Sequence, residues 1–339
     1  MKSDYQTGLV SAIIPVYNRP RLLIESVKSV LAQSYRPIEI IIVDDGSTDD
    51  TGAVVDNLQR EHPEVIRVLH LENGGPGRAR EAGRGIAQGE FIQYLDSDDL
   101  LLPRKFELQV NALREHPECG IAYGITRLID ADGKVLQEPY KLTGQKMNYL
   151  FPALLVERWW NTQTPLWRRT VCDRIGPWPQ GKMGEDWVYD SKAAALRVPL
   201  VFVPEVVAAT RRHGEGRLTR SGFSSDKSKD IACLVVALHE AASQSKVDPL
   251  CPEIQHFSRW AFLEARRAGS FGHIQEASAC LAVAKKTAHT FDLKMTFVGC
   301  MAKVLGWKIT GNICGLMEPV FSRSMVNKKS GFSRLPEFE

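Results

Sequence analysis

Between residues 10 and 115, short apolar runs alternate with stretches of helical period. Residues 10–15 are apolar and end at Pro15, which reads as a buried strand. Residues 19–33 then place Leu22, Leu23, Val27, Val30 and Leu31 at helical spacing. Residues 38–43 are a second apolar run, as near-continuous as a strand covered on both faces of a parallel sheet. The alternation goes on with a helix over 48–60 capped by Ser47 or Thr48, a strand over 65–71, a helix over 77–87, a strand over 90–95 and a helix over 103–115. The pattern predicts an α/β fold, an open and mainly parallel sheet flanked by helices.

Beyond residue 120 the pattern loosens. Residues 120–129 and 134–136 are expected to pair as strands around the Asp132-Gly133 turn. Helices are expected over 142–158 and 184–196, with a strand over 200–207. From about residue 223 the chain reads as helical: 229–243, 253–267, 273–289 and an apolar stretch over 293–321. The expected division is an α/β domain over 1–222, with halves at 10–115 and 116–222, then a helical region over 223–321 and a tail over 322–339.

Composition narrows the function classes. Lys and Arg total 43 and Asp and Glu total 40, a net charge of +3 that gives little support to a dedicated nucleic-acid binder. Hydrophobic residues at 44% and charged residues at 24% describe an ordinary globular protein. Seven cysteines without a CxxC pair point to free thiols in a reducing, cytoplasmic compartment. The polar start carries no signal-peptide core, and no run reaches the roughly 18 apolar residues of a spanning helix.

The polar residues cluster where strands end. Asn18 follows the first strand, Asp44 and Asp45 the second, and Asp96-Ser97-Asp98-Asp99 the fourth. Ligands of open α/β sheets bind at such ends. Three carboxylates within four residues repel one another, and a divalent cation, Mn²⁺ or Mg²⁺, relieves that repulsion. The plainer alternative, turn and cap duty, stays open for both clusters.

Residues 11–18 (Ser-Ala-Ile-Ile-Pro-Val-Tyr-Asn), 43–49 (Val-Asp-Asp-Gly-Ser-Thr-Asp) and 95–99 (Leu-Asp-Ser-Asp-Asp) together resemble the family 2 glycosyltransferases of GT-A fold. The resemblance is dense over 10–115 and looser to about residue 220. It implies an inverting, metal-dependent glycosyltransferase of hexosyltransferase type, using a nucleotide-sugar donor, with UDP the commonest nucleotide. It assigns Pro15, Tyr17, Asn18, Asp45 and Arg80 to the nucleotide, Asp96 to ribose or metal, and Asp98 to the metal on the diphosphate. Gly184-Glu185-Asp186-Trp187 resembles the acidic motif in which Asp186 is the general base and Glu185 orients the acceptor. Arg211-Arg212-His213 resembles the segment over the diphosphate, with Arg212 on phosphate and His213 as a metal ligand. Trp187, Trp160 and Thr162 are candidate acceptor contacts, with core packing the alternative. Relatives commonly carry Asn where this chain has Glu81, which questions the contacts of that helix.

The implied acceptor is a saccharide, a lipid-linked saccharide or another hydroxyl compound, in polysaccharide or glycoconjugate synthesis. A sugar-nucleotide-binding scaffold without turnover and a nucleotidyltransferase are the competing classes. Phe297, Met301, Val304 and Leu305, with Lys294, Lys303 and Lys308 nearby, leave three partners open for the C-terminal helices: their own domain, a second subunit, or the inner face of a membrane.

Overall fold

The structure is a computed structural model, which describes residues 5–181, 183–213, 224–290 and 292–316. These residues fall into two compact units. The first comprises residues 5–149, 159–181 and 197–213; the second comprises 150–158, 183–196, 224–290 and 292–316.

The first unit is built on a nine-stranded sheet. Its elements are β1 (Gln6–Val16), α1 (Pro20–Leu31), β2 (Ile38–Asp44), α2 (Thr51–Glu61), β3 (Ile66–His70), α3 (Pro76–Ile86), β4 (Gly89–Tyr94), β5 (Leu100–Leu101), α4 (Lys105–Glu115), β6 (Ile121–Ile129), β7 (Val135–Gln137), β8 (Leu166–Arg168), α5 (Arg169–Ile175) and β9 (Leu200–Arg211). The strand order is β3-β2-β1-β4-β8-β6-β9-β5, with β7 against β6. Strands β3, β2, β1 and β4 are parallel, as the alternation from residue 10 predicts. The second half is mixed: β8 runs antiparallel to β4 and β6, β9 runs parallel to β6, and β5 runs antiparallel to β9.

Every residue of β2 is buried, which is why its sequence shows no alternation. The core of this unit joins Val10, Ala12 and Ile14 of β1 to Leu23, Val27 and Val30 of α1, and to Phe106, Val110 and Leu113 of α4. On the other face, α3 lies against β1 and β2 through Gly83. A Cβ there would stand 2.5 Å from Ile13 Cγ2 and 3.2 Å from Val43 Cγ2. The missing side chain lets the helix close on the sheet, one turn from Arg80.

Several expected boundaries shift. Helix α2 starts at Thr51 rather than residue 48, and Asp49 Oδ1, not Ser47 or Thr48, accepts its first N–H at 2.9 Å. The Ser47 and Thr48 side chains are engaged instead by Asn18. Helix α4 starts at Lys105, two residues beyond Pro103. The helix expected over 142–158 is absent. Turns and a short 3₁₀ segment, Ala153–Leu155, stand there, in a stretch interrupted by Gly144 and Pro152.

The second unit is helical: α6 (Glu185–Ala195), α7 (Ser225–Gln244), α8 (Pro252–Phe271), α9 (Ile274–Thr287), α10 (Leu293–Leu305) and α11 (Trp307–Leu316). It takes in residues 150–158 and 183–196, which the sequence assigned to the α/β domain ending at 222. The reason lies in packing. Trp187 stacks on Trp260 of α8 at 5.4 Å, and its indole N–H donates to Leu154 O at 3.0 Å. Residues 322–339, the expected tail, lie outside the described residues.

Substituting Gly83→Val should cost about 1–3 kcal/mol by overpacking against Ile13 and Val43. Urea unfolding checks this: the midpoint falls and the slope stays constant. An unchanged midpoint would show that the contact is slack.

Candidate functional site

The first strand ends in a loop held to the second. Asn18 has a positive φ of 51°, a conformation that Asn tolerates better than most residues. Its Oδ1 accepts from Thr48 N at 2.8 Å, and its Nδ2 donates to Thr48 Oγ1 at 3.1 Å. Its own N–H donates to Ser47 Oγ at 3.0 Å. Asp44 accepts from Ser47 N at 3.0 Å and meets His70 Nδ1 at 3.1 Å, while His70 Nε2 meets Asp56 at 3.0 Å. Burial lowers the His70 pKa, but the hydrogen bonds with Asp44 and Asp56 outweigh it, and the net shift is upward.

Asp45 is buried, and both carboxylate oxygens accept backbone N–H groups: Oδ1 from Gly74 at 2.9 Å and Oδ2 from Gly75 at 2.8 Å. The residue assigned to the nucleotide thus also anchors the glycine loop that opens α3. Pro15 is buried in β1 opposite Val43, and Tyr17 is exposed beside it.

Arg80, on the buried face of α3, donates to Asp96 Oδ1 at 2.7 Å, and its guanidinium lies 4.7 Å from the Trp178 ring centroid. Trp178 in turn packs edge-on against Tyr94 of β4. Glu81 explains its own departure from the expected Asn. It accepts from the Trp178 N–H at 3.1 Å and pairs with Arg84, which reaches Asp173 at 3.0 Å. It fixes the tryptophan on which Arg80 rests.

The C-terminal end of the acidic cluster, Asp98 and Asp99, is positioned by β5. That strand pairs Leu100 with Ala209 and Leu101 with Ala208, so the start of the β4–α4 connection lies beside the end of β9. Asp99 Oδ1 then accepts from Arg211 N at 2.9 Å. Two residues on, His213 Nε2 lies 2.8 Å from Asp98 Oδ2, and the same oxygen accepts from Arg19 Nη1 at 3.0 Å. His213 and Asp98 are buried, and His213 Nδ1 has no hydrogen-bond partner among the described residues. Arg212 hydrogen-bonds through its backbone to Ile129 O at 2.7 Å and exposes its side chain.

One carboxylate and one imidazole converging on a point fit a divalent cation that takes its other ligands from substrate phosphate and water. Among the described residues no three of His, Cys, Asp and Glu form a complete metal cage. Gly214 and the residues after it to 223 lie outside the described residues.

In the helical unit, Gly184 takes a positive φ of 74° at the start of α6, where a Cβ would stand 2.9 Å from Leu234 Cδ2. Glu185 and Asp186 open that helix, where its dipole favours acids. Asp186 Oδ1 accepts from Trp187 N at 2.7 Å, and Oδ2 pairs with Arg158 Nη1 at 2.5 Å. Arg158 also donates through Nε to Asp190 at 2.7 Å. Asp190 is 1% exposed and Asp186 27%, so one carboxylate of this triad is sealed and the other open. Glu185 is buried.

The structure therefore brings Asp96, Asp98, His213 and Arg80 together in the first unit and sets Glu185, Asp186 and Trp187 in the second. The acceptor candidates Trp160, Thr162 and Trp187 are all buried. Trp160 packs on Tyr123 at 5.3 Å and Trp187 on Trp260, so neither offers an open ring face to a sugar. Arg19, Trp178, Arg158 and Asp190 escaped the sequence reading. None carries a local signal, because their hydrogen-bond partners in the site lie 28 to 97 residues away.

Known proteins resemble this chain in sequence and in fold. The Glycosyl transferase family 2 model matches residues 11–164. Glycosyltransferase GlyG of Streptococcus pneumoniae is 29% identical over 238 residues, which is 66% of this chain and 77% of that protein. An uncharacterized glycosyltransferase of Nostoc, alr2836, is 32% identical over 173 residues, half of this chain and 53% of its own length. A crystal structure of S. aureus TarS in complex with UDP-GlcNAc superposes with a TM-score of 0.65 at 17% identity, covering 97% of both chains. A mannosyltransferase of Pyrobaculum calidifontis in complex with GDP-Man and Mn²⁺ gives 0.50 at 16% identity, covering 94% of this chain and 86% of the other. The strand-end motifs lie inside the matched segment: residues 11–164 are similar to glycosyl transferase family 2, and the architecture is that of the GT-A fold.

Proposed function

We propose that this chain is an inverting, metal-dependent glycosyltransferase that moves a sugar from a nucleoside-diphosphate donor, with UDP as the nucleotide, to a hydroxyl acceptor in polysaccharide or glycoconjugate synthesis. The observation that carries the reading is the convergence of Asp98 and His213 at 2.8 Å, beside the Asp96–Arg80 pair, at the strand ends of the family 2 segment. The UDP-GlcNAc in the TarS complex supports the choice of nucleotide. All seven cysteines are free thiols, which favours the cytoplasm.

Pro15, Tyr17, Asn18 and Asp45 hold the nucleoside, with the Asn18–Thr48 bonds keeping that loop in place. Asp96 meets the ribose and Arg80 fixes its carboxylate. Asp98 and His213 hold Mn²⁺ or Mg²⁺, and Arg212 approaches the diphosphate. When bound, the cation neutralises charge that grows on the departing diphosphate.

Asp186 is the base. Its carboxylate takes the acceptor's hydroxyl proton as that oxygen bonds to the anomeric carbon and the bond from that carbon to the diphosphate breaks. One displacement inverts the anomeric centre. Arg158 holds the Asp186 carboxylate in place, and Asp190 balances the guanidinium from its sealed side. Glu185 orients the acceptor.

Asp186→Asn should lower the transfer rate about 10²- to 10⁴-fold and leave donor affinity unchanged. Equal rates in the two proteins would remove the base assignment, and donor binding without turnover by the unaltered protein would favour a scaffold. Asp98→Asn and His213→Ala should each raise the Mn²⁺ concentration for half-maximal thermal stabilisation by UDP on the order of tenfold or more. Melting curves across a Mn²⁺ series check this without relying on turnover. Curves that match the unaltered protein would place the cation elsewhere.

A further inference from the structure

Helix α10 turns an apolar face outward. Leu293, Phe297, Cys300 and Val304 recur at spacings of four, three and four residues, and all four are exposed. Leu293 is 75% exposed, Phe297 61% and Val304 81%, more open than most of the protein's large apolar side chains. At 100° per residue these four fall within about 60° of helix circumference and span about 16 Å of its length. The helix packs inward through Met295 and Val298 instead, so the outward stripe is not what attaches it. Met301, which the sequence pattern placed on the stripe, lies off it and is half-buried. Beyond Gly306, α11 also exposes apolar side chains, Ile309 and Leu316.

The charges beside the stripe have one sign. On the same helical wheel Lys294 lies about 100° to one side and Lys303 about 80° to the other. Lys308 stands next to Ile309, and residues 293–316 contain no Asp or Glu. Asp292, just outside, is used as the cap of α10 and accepts from Lys294 N and Met295 N.

A second copy seated face to face on this stripe would set lysines against lysines, with no acid in the patch to pair them. An anionic surface with an apolar interior meets both features: apolar side chains enter the acyl boundary while flanking lysines reach the headgroups. No helix among the described residues is long and apolar enough to cross a membrane, so the contact is one of lying on the surface. The geometry points to α10 and the start of α11 as an interfacial docking surface for a bilayer rich in anionic phospholipid. This inference does not depend on the transferase reading, because it uses none of the residues of the candidate site.

The test is co-sedimentation of the full chain with vesicles of phosphatidylcholine alone and vesicles enriched in phosphatidylglycerol. The expected result is binding to the anionic vesicles, about tenfold or more weaker on neutral ones and weakened by added salt. Phe297→Gln with Val304→Gln should abolish it. Lys294→Gln, Lys303→Gln and Lys308→Gln combined should weaken it about tenfold or more. Circular dichroism and melting should match the unaltered protein. Leu293→Gln, at a more open position, serves as a second variant if the double substitution unfolds the chain. Absence of binding, or binding that none of these variants changes, would overturn the proposal. So would a dimer in sedimentation equilibrium that Phe297→Gln with Val304→Gln dissociates, since the stripe would then join two copies.

Discussion

A carboxylate taken out of water must find donors, and this chain buries several of them at the ends of its strands. Asp44 is met by the Ser47 N–H and by His70, and Asp45 by the N–H groups of Gly74 and Gly75. Asp98 is met by His213 and Arg19, and Asp99 by the Arg211 N–H. All but the Asp44–Ser47 bond join segments distant in sequence. Together they fix the loop after β1, the turn after β2, the glycine loop before α3 and the end of β9. The site's scaffold and its chemistry are therefore the same set of interactions. The acids that would meet nucleoside, ribose and cation also set the loops in place.

The second unit applies the same constraint once more. Arg158 is buried and would be a costly cation alone. Asp190 and Asp186, one turn apart on α6, share its guanidinium. The sealed Asp190 meets the demand of burial, and Asp186 keeps an open side from which to act. A tryptophan pair and the Gly184–Leu234 contact hold α6 among the helices, so the base candidate belongs by packing to the helical unit. The Glu185-Asp186 motif and the strand-end motifs of one chain thus stand on different compact units. A linear reading with a boundary near residue 222 does not separate them.

Strand and helix alternation, the burial of β2, the positions of the acidic motifs and their likeness to family 2 were legible in the chain, because each depends on near neighbours and on the period of the backbone. Helix 142–158 was misread for the same reason. Its apolar residues suit a helix locally, but Leu154 and Leu155 are buried by tertiary packing in an irregular stretch. Trp160 and Trp187 stayed open between sugar contact and core packing because an aromatic side chain looks alike in both, and their burial favours the core. Glu81 shows the converse. As a departure from a motif it carried no meaning until the Trp178 loop was seen folded onto it.

By itself, then, the sequence determined the element order, the parallel half of the sheet, the likeness to family 2 and the positions of the acids, through periodicity and local motif. The tertiary structure alone decided which base meets which acid: Arg19 with Asp98, Arg80 with Asp96, Arg158 with Asp186. It also decided which apolar residues stay outside, on α10. Pairing and exposure are properties of distance in space, and distance along the chain does not encode them until the strands have found their order.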